Sequence, residues 1–505
     1  MAQYLLAHDL GTSGNKATLF DVDGTMVASR TSAYETNFFN TNWAEQSPAD
    51  WWRAVCDSSQ GLLTDVDAGD VAAVALSGQM MGCLPVDKEG RPLRPSIIYC
   101  DQRATAEADR LIETIGPEAF YAIVGHRVSA SYSIEKLMWL KANEPEVYGA
   151  TACMLNAKDY VNYRLTGRIA TDFSDASGTN AFDLNTFAWS EPVLAAAGVD
   201  AAMLPDPCAS TDVLGTVTAA AAKATGLKEG TPVAVGGGDG SCAAVGVGCT
   251  RPGMAYGYVG SSSWIAMASE KPIVDEQMRT MNWAHVVPGY LHPAGTMQTA
   301  GAAYQWARNQ ICLAELAEAD ARGVSAYELI DEQIAQSPPG ANGLVFLPYL
   351  LGERTPWWNP NARGAFVGLT LAHTRGDILR AVLEGVTYNL CIIADILRSH
   401  VPFDSLTVIG GGAKSPIWRQ MMADVTGCRV QKLSVLEEAT SMGAAVTAGV
   451  AAGVFGDFDV VQRFIGVDEV HQPGPEAVKQ YDKIKPIFEN CYRALVDVYE
   501  QLAGL

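Results

Sequence analysis

Asp9-Leu10-Gly11-Thr12-Ser13-Gly14-Asn15-Lys16 places two glycines, two hydroxyls, an acid and a lysine directly after an apolar run, Tyr4 to Ala7. Glycines let successive amides turn into one concavity, and Thr12 and Ser13 add hydroxyl donors. A nest of this kind binds oxyanions without net positive charge. Asp9, at the end of the run, could face a magnesium ion, because hard cations prefer carboxylate and phosphate oxygens. An ordinary glycine-rich hairpin with a surface lysine accounts for the same residues. Gly257-Tyr258-Val259-Gly260-Ser261-Ser262-Ser263-Trp264 repeats the plan in the second half. Two such loops in separate halves suggest an anionic ligand clamped between them. A third cluster, Gly410-Gly411-Gly412-Ala413-Lys414-Ser415, precedes a helix and offers bare backbone to a flat ring, or is a simple helix-entry turn.

Gly236-Gly237-Gly238-Asp239-Gly240 ends another strand-like run and precedes a helical stretch, Ser241 to Val247. Open α/β sheets place ligands at the carboxyl ends of their strands. An aspartate there can take the proton of an attacking hydroxyl, the one proton that phosphoryl transfer requires an enzyme to accept. An N-cap for the following helix is the other role open to Asp239.

The elements that must position these residues alternate. Tyr4 to Asp9, Ala17 to Phe20 and Met26 onward read as strands around tight turns. Helical periodicity occupies Pro48 to Leu63, Ser133 to Ala142, Ile378 to Leu397 and Trp418 to Val425. Alternation of this kind implies sheets covered by helices. A chain of 505 residues exceeds one ordinary core. The pattern breaks at Thr250-Arg251-Pro252-Gly253, which divides the chain into 1–249 and 250–505. Ala439 to Gly456, uncharged but shorter than a membrane span and rich in small residues, reads as a close-packed internal helix.

Charge narrows the partners. A formal net charge of −21 with no basic cluster repels nucleic acid and anionic lipid. A polyphosphate ligand would have to be held by amides, hydroxyls and a divalent cation. The 11 cysteines form no C-x-x-C pair and no metal spacing with the seven histidines. A reducing compartment fits, and an opening strand leaves no room for a signal peptide, so the expected location is cytoplasmic.

Further segments extend the pattern. Gly364-Ala365-Phe366-Val367-Gly368-Leu369, then Asp377-Ile378 and Ala381-Val382-Leu383-Glu384, match the second signature of the FGGY carbohydrate kinase family. Ser131, Ser133, Lys136-Leu137 and Trp139-Leu140 are similar to its first, with Ala142 departing from a usually polar position. Leu347-Pro348-Tyr349-Leu350, Gly352 to Pro356, Lys158-Asp159-Tyr160 and Ser174 to Thr179 resemble the xylulose kinase branch of that family.

The resemblance runs from end to end. It implies two actin-like, ribonuclease H-like α/β domains around a catalytic cleft, with ATP and Mg2+ as cofactors, a small sugar as acceptor and a homodimer as the assembly. It casts Asp239 as catalytic base, and Asp9 with Asp239 as facing the metal. Gly11, Thr12, Ser13, Lys16, Gly260, Ser261 and Ser262 would surround the phosphates; Gly301, Gln305, Gly411, Gly412 and Ala413 would carry the adenosine. The sugar would lie among Gln79, Met80, Met81, Tyr99, Asp101, Asp239, Gly240 and Trp264.

The chain departs from that branch at Met81, Tyr99, Cys100 and Gly240, where histidine, tryptophan, asparagine and asparagine are usual. Losing those groups reshapes a wall that would discriminate through hydroxyls. Asp239-Gly240 resembles some gluconate kinases. A kinase for gluconate, ribulose, a tetrose or a polyol is therefore an alternative, as are an actin-like ATPase and a non-catalytic sugar sensor. Cys100 and Cys242 read as small hydrophobes, and Trp51-Trp52 and Trp357-Trp358 as packing.

Overall fold

The computed structural model describes residues 3–64, 66–434 and 438–505. Its frame is two seven-stranded sheets. The first takes β1 (Tyr4–Leu10), β2 (Gly14–Asp21), β3 (Met26–Ala33), β4 (Val71–Gly78), β5 (Val213–Thr216), β6 (Pro232–Ala234) and β7 (Gly237–Gly238). The second takes β8 (Ala255–Val259), β9 (Ser263–Met267), β10 (Met281–Ala284), β11 (Leu291–Met297), β12 (Ser405–Ile409), β13 (Arg429–Leu433) and β14 (Val467–His471).

Both sheets are wound alike. β1 pairs antiparallel with β2 and parallel with β4, and β2 continues antiparallel to β3. In the second sheet β8 pairs antiparallel with β9 and parallel with β12, and β9 continues antiparallel to β11. The parallel side extends through β6 in one case and β13 in the other, each closed by an antiparallel strand. This is a duplicated α/β unit of the expected plan.

The predicted helices are found at Pro48–Leu62, Ser133–Asn143, Arg375–His400 and Pro416–Thr426. The third begins three residues earlier than its periodicity suggested. Thr374 and Asp377 form a capping box there, and Ser337 and Asn342 also donate to Asp377. Those bonds favour the charged form and hold the Asp377 carboxyl at about 2. This aspartate of the second signature is therefore a structural anchor in this chain.

Three helices concern the site: α1 (Asp239–Gly246), α2 (Gly301–Ile311) and α3 (Ala439–Ala451). α3 is the close-packed internal helix expected. It shares a buried cluster with Leu5 and Ala7 of β1, Ala73 and Ala75 of β4, and Cys242 and Val245 of α1. A Cβ on Gly443 would lie 1.8 Å from the Cys242 carbonyl, and one on Gly246 1.8 Å from that of Ala439. The two helices thus touch backbone to backbone, which only glycine permits. No helix of the described residues is long and apolar enough to cross a membrane.

Candidate functional site

Each sheet presents one glycine-and-hydroxyl hairpin. In the first, between β1 and β2, the Gly11 amide donates to the Gly14 carbonyl at 3.0 Å. The loop carbonyls are drawn outward: Gly11 O accepts from Tyr34 Oη at 2.5 Å, Thr12 O from Gln46 Nε2 at 2.6 Å, and Ser13 O from the Tyr34 amide at 3.1 Å. Among the described residues no acceptor takes the amides of Thr12 and Ser13.

The second hairpin, between β8 and β9, reaches the same state. Gly260 N donates to Ser262 O, while the amides of Ala300, Gly301 and Ala302 bind the carbonyls of Ser261 and Gly260. The amides of Ser261 and Ser262 are likewise left over. A Cβ on Gly301 would come 2.5 Å from the Gly260 carbonyl, so the start of α2 lies directly on this loop. The third cluster packs beside it: Gly410 (φ 89°) rests on Val259, and Gly411 faces open space. Two amides on each loop are thereby left as donors of the kind that bind oxyanions.

Asp239 is the first residue of α1, and Gly238 occupies the cap position without a side-chain bond. Its Oδ1 accepts only from the Gly240 amide, at 2.7 Å, so capping is not its role. The Gly238 amide is fixed by Ser174 Oγ at 2.8 Å, and that hydroxyl donates to the buried Asp172. The surrounding cleft walls, although the carboxylate itself is open to both cavities, and the neighbouring Asp9 charge push the Asp239 carboxyl up to about 6. Burial raises Asp9 to about 6 as well, against the opposing effect of Ser77. Asp9 and Asp239 are the carboxylates of this region that would hold a hard divalent cation.

Two cavities meet at Asp239. One of about 440 Å³ runs past Gly410, Gly411, Lys414 and Thr440. The other, of about 670 Å³, is walled by Met80, Met81, Tyr99 and Cys100 on one side and Ser262, Trp283, His292 and Trp358 on the other. Asp239, Gly240 and Trp264 line both, and Trp264 stacks on Tyr258 at 4.2 Å. Met81 stands at φ 62°, and its carbonyl accepts from the buried Lys136 ammonium at 2.7 Å. Lys136 also binds the carbonyls of Ile98 and Ser131. Burial pulls its pKa down to about 8. The lysine of the first signature therefore shapes this wall.

Several expected residues stand elsewhere. Asp101 is sealed in an ion pair with Arg103 and accepts from the Ala44 amide, leaving its carboxylate no face on the cavity. Gln79 is buried behind the first loop, donating to Gln46 at 2.7 Å. The Lys16 ammonium is paired with Glu438 across the halves. Ala413 lies in the core of the second half, and Gln305 is on the exposed side of α2. Trp358, read as packing, lines the larger cavity, whereas Trp357 stacks on Tyr492. Sequence reasoning missed Gln46, Lys136 and His292. Lys136 was visible as part of the first signature, but no local pattern marks the other two.

The geometry so far defines a two-domain α/β protein with free loop amides on each half and Asp239 at the junction of two cavities. Comparison with known proteins extends this. Residues 4–246 match the N-terminal domain of the FGGY family of carbohydrate kinases, and residues 255–452 its C-terminal domain. The chain belongs to that family and is a phosphotransferase acting on a sugar hydroxyl. It is 32% identical over 505 residues to a xylulose kinase of Lactococcus lactis, covering 99% of this chain and 98% of that protein. A gluconokinase of Bacillus licheniformis is 30% identical over 506 residues, covering 100% and 98%. The crystal structure of a xylulose kinase from Rhodospirillum rubrum superposes with a TM-score of 0.90 at 31% identity, covering 99% and 100%. A Plasmodium falciparum glycerol kinase shares the fold, with a TM-score of 0.86 at 20% identity.

Proposed function

We propose that this protein is a cytoplasmic kinase of the xylulose kinase type, moving the γ-phosphoryl group of Mg-ATP to the terminal hydroxyl of D-xylulose or a close relative. The observation that carries the reading is the position of Asp239 at the junction of the two cavities. The nucleotide lies in the smaller cavity, its ring on the bare backbone at Gly411 and its phosphates on the amides of Thr12, Ser13, Ser261 and Ser262. The division near residue 249 separates a lobe that holds the sugar and the base from one that holds the adenosine.

Asp239 takes the proton of the acceptor hydroxyl as that oxygen attacks the γ-phosphorus. The bond to the β–γ bridging oxygen breaks and ADP leaves. The four free amides of the two hairpins, with the hydroxyls of Ser13, Ser261 and Ser262, stabilise charge on the transferred group, while the Thr12 hydroxyl donates to Tyr99 Oη at 3.2 Å. A divalent cation held by Asp9 and Asp239 would neutralise charge on the phosphate oxygens.

A second reading, gluconate as acceptor, is favoured by Arg127 and Arg354. Both line the larger cavity, and neither forms an ion pair among the described residues. Arg127 is held by the carbonyls of Gln277 and Met278 over the Trp358 ring. A coupled assay of ADP release with ketoses, aldonates and polyols tests both. D-xylulose as the best acceptor upholds the first reading and gluconate the second, while no acceptor-dependent turnover refutes the kinase assignment for this cleft.

A further inference from the structure

Three histidines, His126 from the first half and His285 and His292 from the second, are buried, and their nitrogens differ in what they meet. His285 is saturated: Nε2 lies 3.0 Å from the Cys249 carbonyl, and Nδ1 accepts from the Val287 amide at 2.9 Å. His126 has both nitrogens sealed away without partners. His292 is the intermediate case. Its Nε2 lies 3.2 Å from Tyr256 Oη, on a ring stacked parallel to that tyrosine. Its Nδ1 has no partner among the described residues and, unlike the nitrogens of His126, is not sealed. His292 is only 4% exposed, and the open space it reaches is the larger cavity.

Its position ties it to the reacting centre. A Cβ on Gly240 would lie 3.8 Å from His292 Cε1, and Gly240 follows Asp239 directly. A Cβ at residue 240 would be in van der Waals contact with the imidazole, and glycine leaves that edge of the ring bare. Burial and the neighbouring His285 push the His292 imidazole down to about 3, so the ring is uncharged at neutral pH. Which nitrogen carries its proton depends on whether Tyr256 donates to Nε2 or accepts from it. A hydroxyl can satisfy Nδ1 in either tautomer, because it both donates and accepts.

We propose that His292 is a specificity-determining residue for the acceptor, bonding through Nδ1 to a hydroxyl next to the one phosphorylated. This rests on the kinase reading above and adds a recognition group that lies outside the segments expected to hold the sugar. A cavity nitrogen left unpaired by an analogue lacking that hydroxyl penalises the analogue.

Two variants separate this role from simple packing. In His292→Asn the amide falls where Nδ1 stood, and in His292→Gln it falls where Nε2 stood. Recognition through Nδ1 predicts that H292N keeps kcat/KM for the best acceptor within about fivefold, whereas H292Q loses roughly 10- to 100-fold. Packing through Tyr256 predicts the reverse order. KM for ATP stays within about twofold in both, since neither touches the nucleotide cavity. The wild-type enzyme supplies a check that needs no variant: kcat/KM for the acceptor deoxygenated at the neighbouring carbon falls by a similar 10- to 100-fold. Equal loss in both variants, or a wild-type enzyme that accepts the deoxy analogue as readily, overturns the proposal while leaving the kinase reading intact. A wild-type enzyme inactive on every acceptor removes both.

Discussion

The two hairpin loops each present two free amides, yet they are held by unlike means. In the first half the work falls mainly to side chains, beside one backbone bond from the Tyr34 amide to the Ser13 carbonyl. Gln46 alone bonds the Thr12 carbonyl, Thr36, Gln79 and Trp51, and Tyr34 reaches the Gly11 carbonyl. In the second half it falls to backbone, since three amides at the start of α2 bind the carbonyls of Gly260 and Ser261. A side-chain clamp can be lost by substituting the clamping residue. A backbone clamp is vulnerable only where a new atom would force the strands of chain apart, here at Gly301.

The largest expected effect lies where the halves share one residue. Asp239→Asn should lower kcat roughly a thousandfold while ATP affinity by calorimetry stays near wild type. Gly301→Ala comes next, because its methyl group collides with the Gly260 carbonyl and no flexible side chain can yield. KM for ATP should rise about 30-fold in a coupled assay. Gln46→Ala should raise the same KM about tenfold, since water can replace part of what the side chain binds. If Gln46→Ala proves the more damaging, the asymmetry between the loops is wrong.

The acid pair gives the smallest effects. Asp239 serves as base only when ionised, so kcat/KM should fall about tenfold per unit as pH drops below about 6. Asp9 carries the opposite sign for stability. Its folded value, about 6, exceeds the ordinary 3.8, so its contribution is favourable at low pH and is lost as pH rises through 6. Asp9→Asn should therefore raise the melting temperature by about 1–2 °C at pH 8, with the gain vanishing near pH 4.

Local pattern revealed what is built from consecutive residues. The hairpins at Gly11 and Gly260, the run of glycines before Asp239 and the uncharged helix at Ala439 each announce themselves in one short continuous stretch. The larger cavity's walls are assembled from contributions hundreds of residues apart, which no local period encodes. Trp358 and His292 reach it only because a loop and an antiparallel strand of the second sheet fold toward the first half. Asp101 misled for a related reason: its chain neighbours line the cavity, but Arg103, two residues on, turns its carboxylate inward.

The contact at Gly246 and Gly443 has a mechanical consequence. α1 is a rod of about 12 Å, with the reactive carboxyl at one tip and a bare main-chain bearing that runs from its middle to the other. A methyl group set into that bearing would act as a shim, tilting the rod and swinging its far tip out of register, although nothing in the pocket itself had been altered.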